Sequence, residues 1–144
     1  MSEFWEIEEG KVDSARFFKA LPNYFADATT FYAEGTVISD DVRKCYETNS
    51  EEGTYLPQTQ TQTQTLFPVS KKFRCKFSMS FMNELSGLAQ DHAELELFDH
   101  MSLYKGTEAV VFWHDAFANV LLISRSVPEK VVSQLALELG LGYQ

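Results

Sequence analysis

The chain has 144 residues, of which 44% are hydrophobic and 14% aromatic, a size and composition typical of one folded domain. Its net charge of −9 repels the phosphates of nucleic acids and anionic membranes, so nucleic-acid binding and membrane association are disfavoured. Acidity of this degree serves either solubility or the recognition of a basic partner protein.

The N-terminal residues MSEFWEIEEGKV have neither a basic start nor an apolar stretch long enough for a signal peptide. No part of the chain approaches the roughly 20 apolar residues that span a bilayer. The sequence therefore predicts a cytoplasmic protein. Cys45 and Cys75 lack metal-ligand spacing, and in a reducing compartment we expect two free thiols.

The N-terminal half predicts the order strand, helix, strand, helix. The residues EFWEIEE predict a short strand, and Asp13 or Ser14 is placed to cap a helix through ARFFKAL. Pro22 is expected to end or kink that helix, because proline lacks an amide donor. The β-branched and aromatic run ATTFYAE predicts a strand, and SDDVRKCYETN predicts a helix capped by Ser39.

A polar repeat, QTQTQTQT at residues 58–65, interrupts the chain. Neither face of this alternating stretch has an apolar side chain to bury, so it lacks the pattern of a packed strand. We predict a flexible polar linker over about residues 49–67, inside a single domain. The alternative is a polar zipper through which copies of the chain self-associate.

The segment KKFRCKFSMS returns to the alternation of a strand. Its apolar side chains alternate with the only basic cluster of the chain: Phe73, Cys75 and Phe77 against Lys72, Arg74 and Lys76. The basic side chains could bind an anion. They are also typical of the solvated face of a strand at the edge of a sheet, where lysine prevents further strand pairing.

The segment FMNELSGLAQDH predicts a helix capped by Ser80. Its apolar residues recur with helical spacing along a stripe that reaches His92. Gly87 weakens such a helix by about 1 kcal/mol relative to alanine, which suggests close packing at that position.

Three strand-like runs follow: AELELFDHMSLY, AVVFWH and NVLLISRS. The last leads into SVPEKVVSQLALELG, which predicts a helix. There Ser126 and Glu129 have capping-box spacing, Pro128 lies in the first turn, and Gly140 ends the helix.

A candidate catalytic pair arises from the first of these strands, where Asp99 falls on an otherwise apolar face. If the following turn is symmetric about Gly106 and Thr107, Asp99 lies opposite His114, and the next turn brings Asn119 beside His114. Aspartate beside histidine is the base-and-orienter part of a hydrolytic triad. A register slip of one residue, or a bulge near Asp99, would separate the pair.

Other chemistry has weaker support in the sequence. No Gly-x-Ser-x-Gly turn is present, and neither cysteine has a recognisable active-site context. A metal site would require His92, His100 and His114 to converge, yet the assumed register places His100 and His114 on opposite faces. Adjacent strand residues also point to opposite faces, so the dipeptide His114–Asp115 should not hold one ion. The sequence therefore predicts no metal site and no cofactor.

Together these elements predict a single α+β domain over residues 1–144, with a β-α-β-α N-terminal half and a C-terminal antiparallel meander covered on one face by helices. The uncovered face would carry an acidic and aromatic surface: Glu94, Glu96, His100, Tyr104 and Trp113. We predict a non-enzymatic protein-binding module, monomeric or homodimeric, with a basic protein as the candidate partner. The alternative is a small hydrolase or metal-assisted enzyme that uses Asp99, His114 and Asn119.

Overall fold

A computed structural model describes residues 3–8, 12–53, 70–116 and 120–144. Within these residues the chain forms six strands and four α-helices. In chain order they are β1 (Phe4–Ile7), α1 (Ser14–Tyr24), β2 (Thr30–Gly35), α2 (Asp40–Thr48), β3 (Lys71–Lys76), α3 (Met79–Ala89), β4 (His100–Lys105), β5 (Glu108–Trp113), β6 (Leu121–Ser124) and α4 (Glu129–Leu139). Of the helices in these ranges, none has the length and apolar character needed to cross a membrane.

The strands form one open antiparallel sheet in the order β1-β6-β5-β4-β2-β3. Strands β4, β5 and β6 are the predicted meander, and the first four elements follow the predicted β-α-β-α order. The α+β class predicted from the sequence is confirmed. The QT repeat and most of the predicted linker lie outside the described residues.

The core lies between the helices and one face of the sheet. On this face Leu103 and Val111 are paired across β4 and β5, and both are fully buried. The indole ring of Trp113 lies 5.2 Å from the ring of Phe17 in α1 and 6.3 Å from that of Phe98. Alternation along the strands therefore directs one set of bulky side chains toward the helices.

Helix α1 begins as predicted, because the Asp13 carboxylate accepts a hydrogen bond from the Arg16 amide. Of the two alternatives predicted at Pro22, an end or a kink of the helix, the first is wrong, since α1 continues to Tyr24. Pro22 lies in the last turn, where its missing amide removes only one helical hydrogen bond. The Phe25 amide still donates to the Leu21 carbonyl at 2.9 Å.

Helix α3 begins two residues earlier than predicted. Ser78, rather than Ser80, is its N-cap, and its hydroxyl accepts a hydrogen bond from the Phe81 amide. The close packing expected at Gly87 is absent, because no atom lies within 4 Å of the position a Cβ would take. Gly140 ends α4 as predicted, with a left-handed φ of 75° that favours glycine.

Two serines predicted to cap helices interact with carboxylates instead. Ser39 precedes α2 as expected, but its hydroxyl donates to Asp41 at 2.9 Å and makes no bond to the helix backbone. The Ser126 hydroxyl donates to the Glu108 carboxylate, and α4 begins after Pro128 without a side-chain cap. The predicted capping box at α4 is therefore wrong.

Short segments of chain pair with both edge strands of the sheet. Beside β1, Glu6 and Gln144 exchange two backbone hydrogen bonds, of 2.8 and 2.9 Å. Beside β3, the Lys76 amide donates to the Asn49 carbonyl at 2.8 Å, and the Glu51 amide donates to the Arg74 carbonyl at 3.0 Å. Backbone N–H and C=O groups that could otherwise hydrogen-bond to a strand of another molecule are therefore already bonded within the chain.

Two of the basic side chains of β3, at the edge of the sheet, are paired with carboxylates. The Arg74 guanidinium lies 3.0 Å from Glu51, and the Lys72 ammonium lies 3.7 Å from Glu34. Because carboxylates already lie beside these two cations, the structure agrees better with the edge-strand interpretation than with a site that binds an anion.

Candidate functional site

The β4–β5 hairpin has the predicted register beside its turn, where Lys105 lies opposite Glu108, and differs from it by one residue farther along the strands. Leu103 lies opposite Val111, whereas Tyr104 lies opposite Ala109. Val110 is therefore an extra residue on β5, and it forms a β-bulge. The turn that the sequence predicted to be symmetric about Gly106 and Thr107 therefore forms, and the bulge at Val110, closer to the turn than the bulge considered near Asp99, shifts the rest of the hairpin by one residue.

The predicted pairing of Asp99 with His114 is therefore wrong. The Asp99 carboxylate instead accepts hydrogen bonds from the backbone amide and the hydroxyl of Thr36, at 3.1 and 3.2 Å. These bonds fix Asp99 at the end of β2. Asn119, the third member of the predicted catalytic set, lies outside the described residues.

His114 instead meets His100 and Asp115, and we call these three residues the histidine cluster. The two imidazole rings stack, with centroids 4.2 Å apart and an interplanar angle of 14°. The Asp115 carboxylate lies 3.8 Å from His100 Nδ1 and 3.9 Å from His114 Nε2. His100 begins β4, and the other two residues immediately follow β5, so the sheet register brings the cluster together.

The bulged register changes which side chains share a face. His100 and His114 were expected on opposite faces, and that expectation is wrong. Asp115 has a left-handed φ of 49°, which aspartate tolerates better than most residues. The strand alternation ends at this turn, so adjacent His114 and Asp115 both approach His100, contrary to the sequence-based expectation for this dipeptide.

The tautomer of His100 follows from its hydrogen bond. The Asp115 amide donates to His100 Nδ1 at 2.8 Å, so Nδ1 carries a lone pair and the neutral ring has its proton on Nε2. That nitrogen lies 3.9 Å from the buried Glu34 carboxylate. Burial, followed by the nearby charge of His114, lowers the pKa of His100 below its ordinary value, against the opposite effect of Glu34, Asp115 and Asp99. The neutral ring is thus the favoured form.

The predicted binding face does not exist as one surface. Tyr104 and Trp113, expected to be exposed, are 0% and 1% exposed and point to opposite sides of the sheet. Tyr104 packs edge-to-face on Tyr32, whereas Trp113 is in the helix-covered core. Glu94 and Glu96 lie in a 3₁₀ turn before β4 rather than on a strand. His100 is the member of the predicted set that lies in the histidine cluster.

Sequence reasoning missed Glu34. Its side chain is almost fully buried on β2, and it lies within 4 Å of both Lys72 and His100. The signal was present in the run TFYAEG, where a carboxylate interrupts an otherwise apolar and aromatic strand. A buried carboxylate requires polar or charged neighbours, so this position could have been marked as part of a site.

A groove lies next to the histidine cluster, on the face of the sheet opposite the helices. Its volume is about 320 Å³, its floor includes the half-buried side chains of Phe4, Phe112 and Leu122, and Glu3 and Glu108 line it. We call this feature the sheet groove. The ring of Phe112 is parallel to that of His114 with centroids 6.0 Å apart, so the groove and the histidine cluster adjoin.

His92 forms a separate ion pair that joins two distant segments. Its Nε2 lies 2.8 Å from the Asp41 carboxylate at the start of α2, and its Nδ1 lies 3.4 Å from Glu96. The hydrogen bond to Asp41 raises the pKa of His92, and the bond to Glu96 acts in the same direction. His92 is therefore outside the histidine cluster.

We expect the pKa of His92 to fall toward its ordinary value in Asp41→Asn, because the amide no longer favours the imidazolium. NMR titration of the ring protons measures this change. A raised native pKa means that the pair stabilises the fold fully below the unfolded value of about 6.5, and that this stabilisation is lost as pH rises through the native pKa. An unchanged His92 titration in the variant would show that the pair does not form.

Comparison of the chain with protein-family models, with curated proteins and with solved structures finds no match in any of the three. The structure therefore defines the fold class of the protein and the composition of its site, but not its family. The described residues form an open antiparallel α+β domain with a histidine cluster at one end of its sheet.

Proposed function

We propose that the protein is a non-enzymatic binding module, and that the sheet groove holds a basic, apolar-containing segment of another protein. The observation that carries the proposal is the groove itself. It combines an apolar floor of Phe4, Phe112 and Leu122 with the carboxylates of Glu3 and Glu108. Aromatic anchors surrounded by polar groups are characteristic of protein interfaces.

The charge of the chain favours a basic segment. The net charge of −9 attracts cations over distance, and the groove carboxylates would then contact lysine or arginine directly. The floor has room for an apolar side chain of the same segment. The affinity would come mainly from burial of apolar side chains on the groove floor. The negative charge of the chain would mainly increase the rate of association.

The covered edges of the sheet favour recognition through side chains. Backbone groups of β1 and β3 already pair with residues 142–144 and 49–51. A partner that added a strand would have to displace these segments. The groove requires no such displacement, and it supports binding to the face of the sheet.

The enzymatic alternative was based on a pairing of Asp99 with His114 that the structure does not contain. Asp99 is bonded to Thr36 rather than to His114. Burial raises the pKa of both Cys45 and Cys75 to about 12, which opposes a role as a thiolate nucleophile. Both thiols are free, which supports our proposal that the module acts in the reducing cytoplasm. We propose that it acts as a monomer or homodimer.

The test uses peptides selected from a display library rich in lysine, arginine and aromatic residues. We expect Leu122→Glu to weaken the binding of a selected peptide at least about tenfold, equivalent to 1.4 kcal/mol, because it places a charge on the apolar floor. Glu3→Lys should slow association and reduce its dependence on salt. Calorimetry and stopped-flow fluorescence measure the two effects.

The matched control is Leu137→Glu, because Leu137 is 80% exposed on α4 and distant in sequence from the groove. This variant should bind the peptide like the wild type. The proposal fails if both leucine variants lose affinity equally, or if NMR shifts caused by the peptide map to the helices.

A further inference from the structure

We infer that His100, His114 and Asp115 bind a divalent transition-metal ion, with Zn²⁺ as the best match. This inference goes beyond the proposed function and does not depend on it. Each residue offers one ligand atom, and the three atoms lie within 4.8 Å of one another. These are the three residues whose convergence the sequence did not predict.

The spacing is close to that of a bound ion. Ligands held at 2.0–2.1 Å from a tetrahedral Zn²⁺ are about 3.3 Å apart, so each pair of the three atoms must approach by about 1.5 Å at most. The side chains of His114 and Asp115 are 52% and 59% exposed, whereas that of His100 is 17% exposed. His100 would be the fixed ligand, toward which the two exposed ligands close.

The surroundings of His100 already direct a lone pair into the cluster. Its Nε2 faces the Glu34 carboxylate, and its Nδ1 faces Asp115. A carboxylate behind a histidine ligand is a common arrangement in metal sites, because it fixes the tautomer and raises the basicity of the ligand. The ion would replace the Asp115 amide as the partner of Nδ1, which requires a small movement of the turn.

The donor set selects the type of ion. Two imidazoles and one carboxylate suit Zn²⁺, Co²⁺, Ni²⁺ or Cu²⁺, whereas Mg²⁺ and Ca²⁺ prefer oxygen ligands. Three protein ligands leave a fourth position for water or for a side chain of a bound partner. Cys45 and Cys75 are poor competitors because both are buried.

The experiment is calorimetric titration of the full chain with ZnCl₂, with cobalt absorption as a second readout of ligand type. We expect one equivalent of Zn²⁺ to bind, and Mg²⁺ to give no signal. His100→Ala and His114→Ala should each weaken Zn²⁺ binding by about a hundredfold, and Asp115→Asn by about tenfold. The matched control is His92→Ala, which removes an imidazole beside carboxylates outside the cluster and should leave the affinity unchanged.

Two outcomes overturn the inference: no Zn²⁺ binding by the wild type, or binding that His114→Ala leaves unchanged. Equal losses in His92→Ala and His114→Ala would also overturn it, since they indicate non-specific histidine binding. Circular dichroism checks that each variant folds, and His114→Gln, which retains the bulk of the side chain, replaces any alanine variant that does not. Peptide binding in the sheet groove is measured without Zn²⁺, so failure of one proposal is distinguishable from failure of the other.

Discussion

Replacing Trp113 by alanine should lower the free energy of unfolding by roughly 3–5 kcal/mol, the usual cost of removing a large aromatic side chain from a core. Only 1% of Trp113 is exposed, and its indole packs against Phe17 and Phe98. These rings cannot collapse fully into the space that the indole leaves. Urea denaturation followed by circular dichroism measures the change.

The matched control is the preceding residue on the same strand. Phe112 points to the opposite face and is half-buried beside the sheet groove, so Phe112→Ala should cost less than half as much. Similar losses in the two variants would contradict the register described for β5. A small loss in Trp113→Ala would restore the earlier expectation that Trp113 belongs to a surface.

The second large effect concerns the thiols of Cys45 and Cys75. Burial raises the pKa of each from 9.0 to about 12, so at pH 8 the thiolate fraction falls by roughly a thousandfold. Because the thiolate is the reactive form, iodoacetamide should modify the native chain at least that much more slowly than the unfolded chain. Mass spectrometry over time, with and without urea, measures both rates.

The same shifts make the fold sensitive to alkali. Above pH 9 the thiols ionise in the unfolded chain but remain protonated in the native one, so stability falls progressively up to about pH 12. Tyr46, which is fully buried, changes in the same direction. If native thiols react as fast as unfolded ones, the burial of these side chains is incorrect.

Most helices and strands could be predicted because each depends on nearby residues. Asp13 caps α1 through the amide of Arg16, three positions away, and Gly140 ends α4 through its own left-handed backbone. Besides the two-residue shift of the cap at α3, the errors at helix starts were of one kind. Ser39 and Ser126 had the spacing of caps, but carboxylates bound their hydroxyls instead.

The hairpin register could not be predicted because both faces of β4 and β5 carry apolar or aromatic side chains. Residues 109–112 read AVVF, so a bulge at Val110 exchanges one apolar residue for another and leaves no trace in the alternation. Tyr104 and Leu103 point to opposite faces and are both fully buried. Register is normally specified by the alternation of apolar and polar side chains. Because neither face of these strands is polar, the alternation does not distinguish one register from the next.

The histidine cluster depended on that register and on the positive φ of Asp115, and neither is encoded by local spacing. The sequence did mark the correct region, because His100 and His114 were considered as metal ligands and His114–Asp115 as a neighbouring pair. It assigned them the wrong partners. Glu34, whose type and place in a strand were visible, is the member of the site that could have been recognised earlier.

The pairing of β1 has a consequence for how the chain folds during synthesis. This first strand bonds to β6 on one side and to residues 142–144 on the other, so its partners lie more than 110 residues later in the chain. While the ribosome makes the intervening residues, β1 has no partner in the sheet, and its apolar side chains are available to chaperones. Folding of this edge of the sheet must therefore be among the last events, completed after translation has passed residue 140.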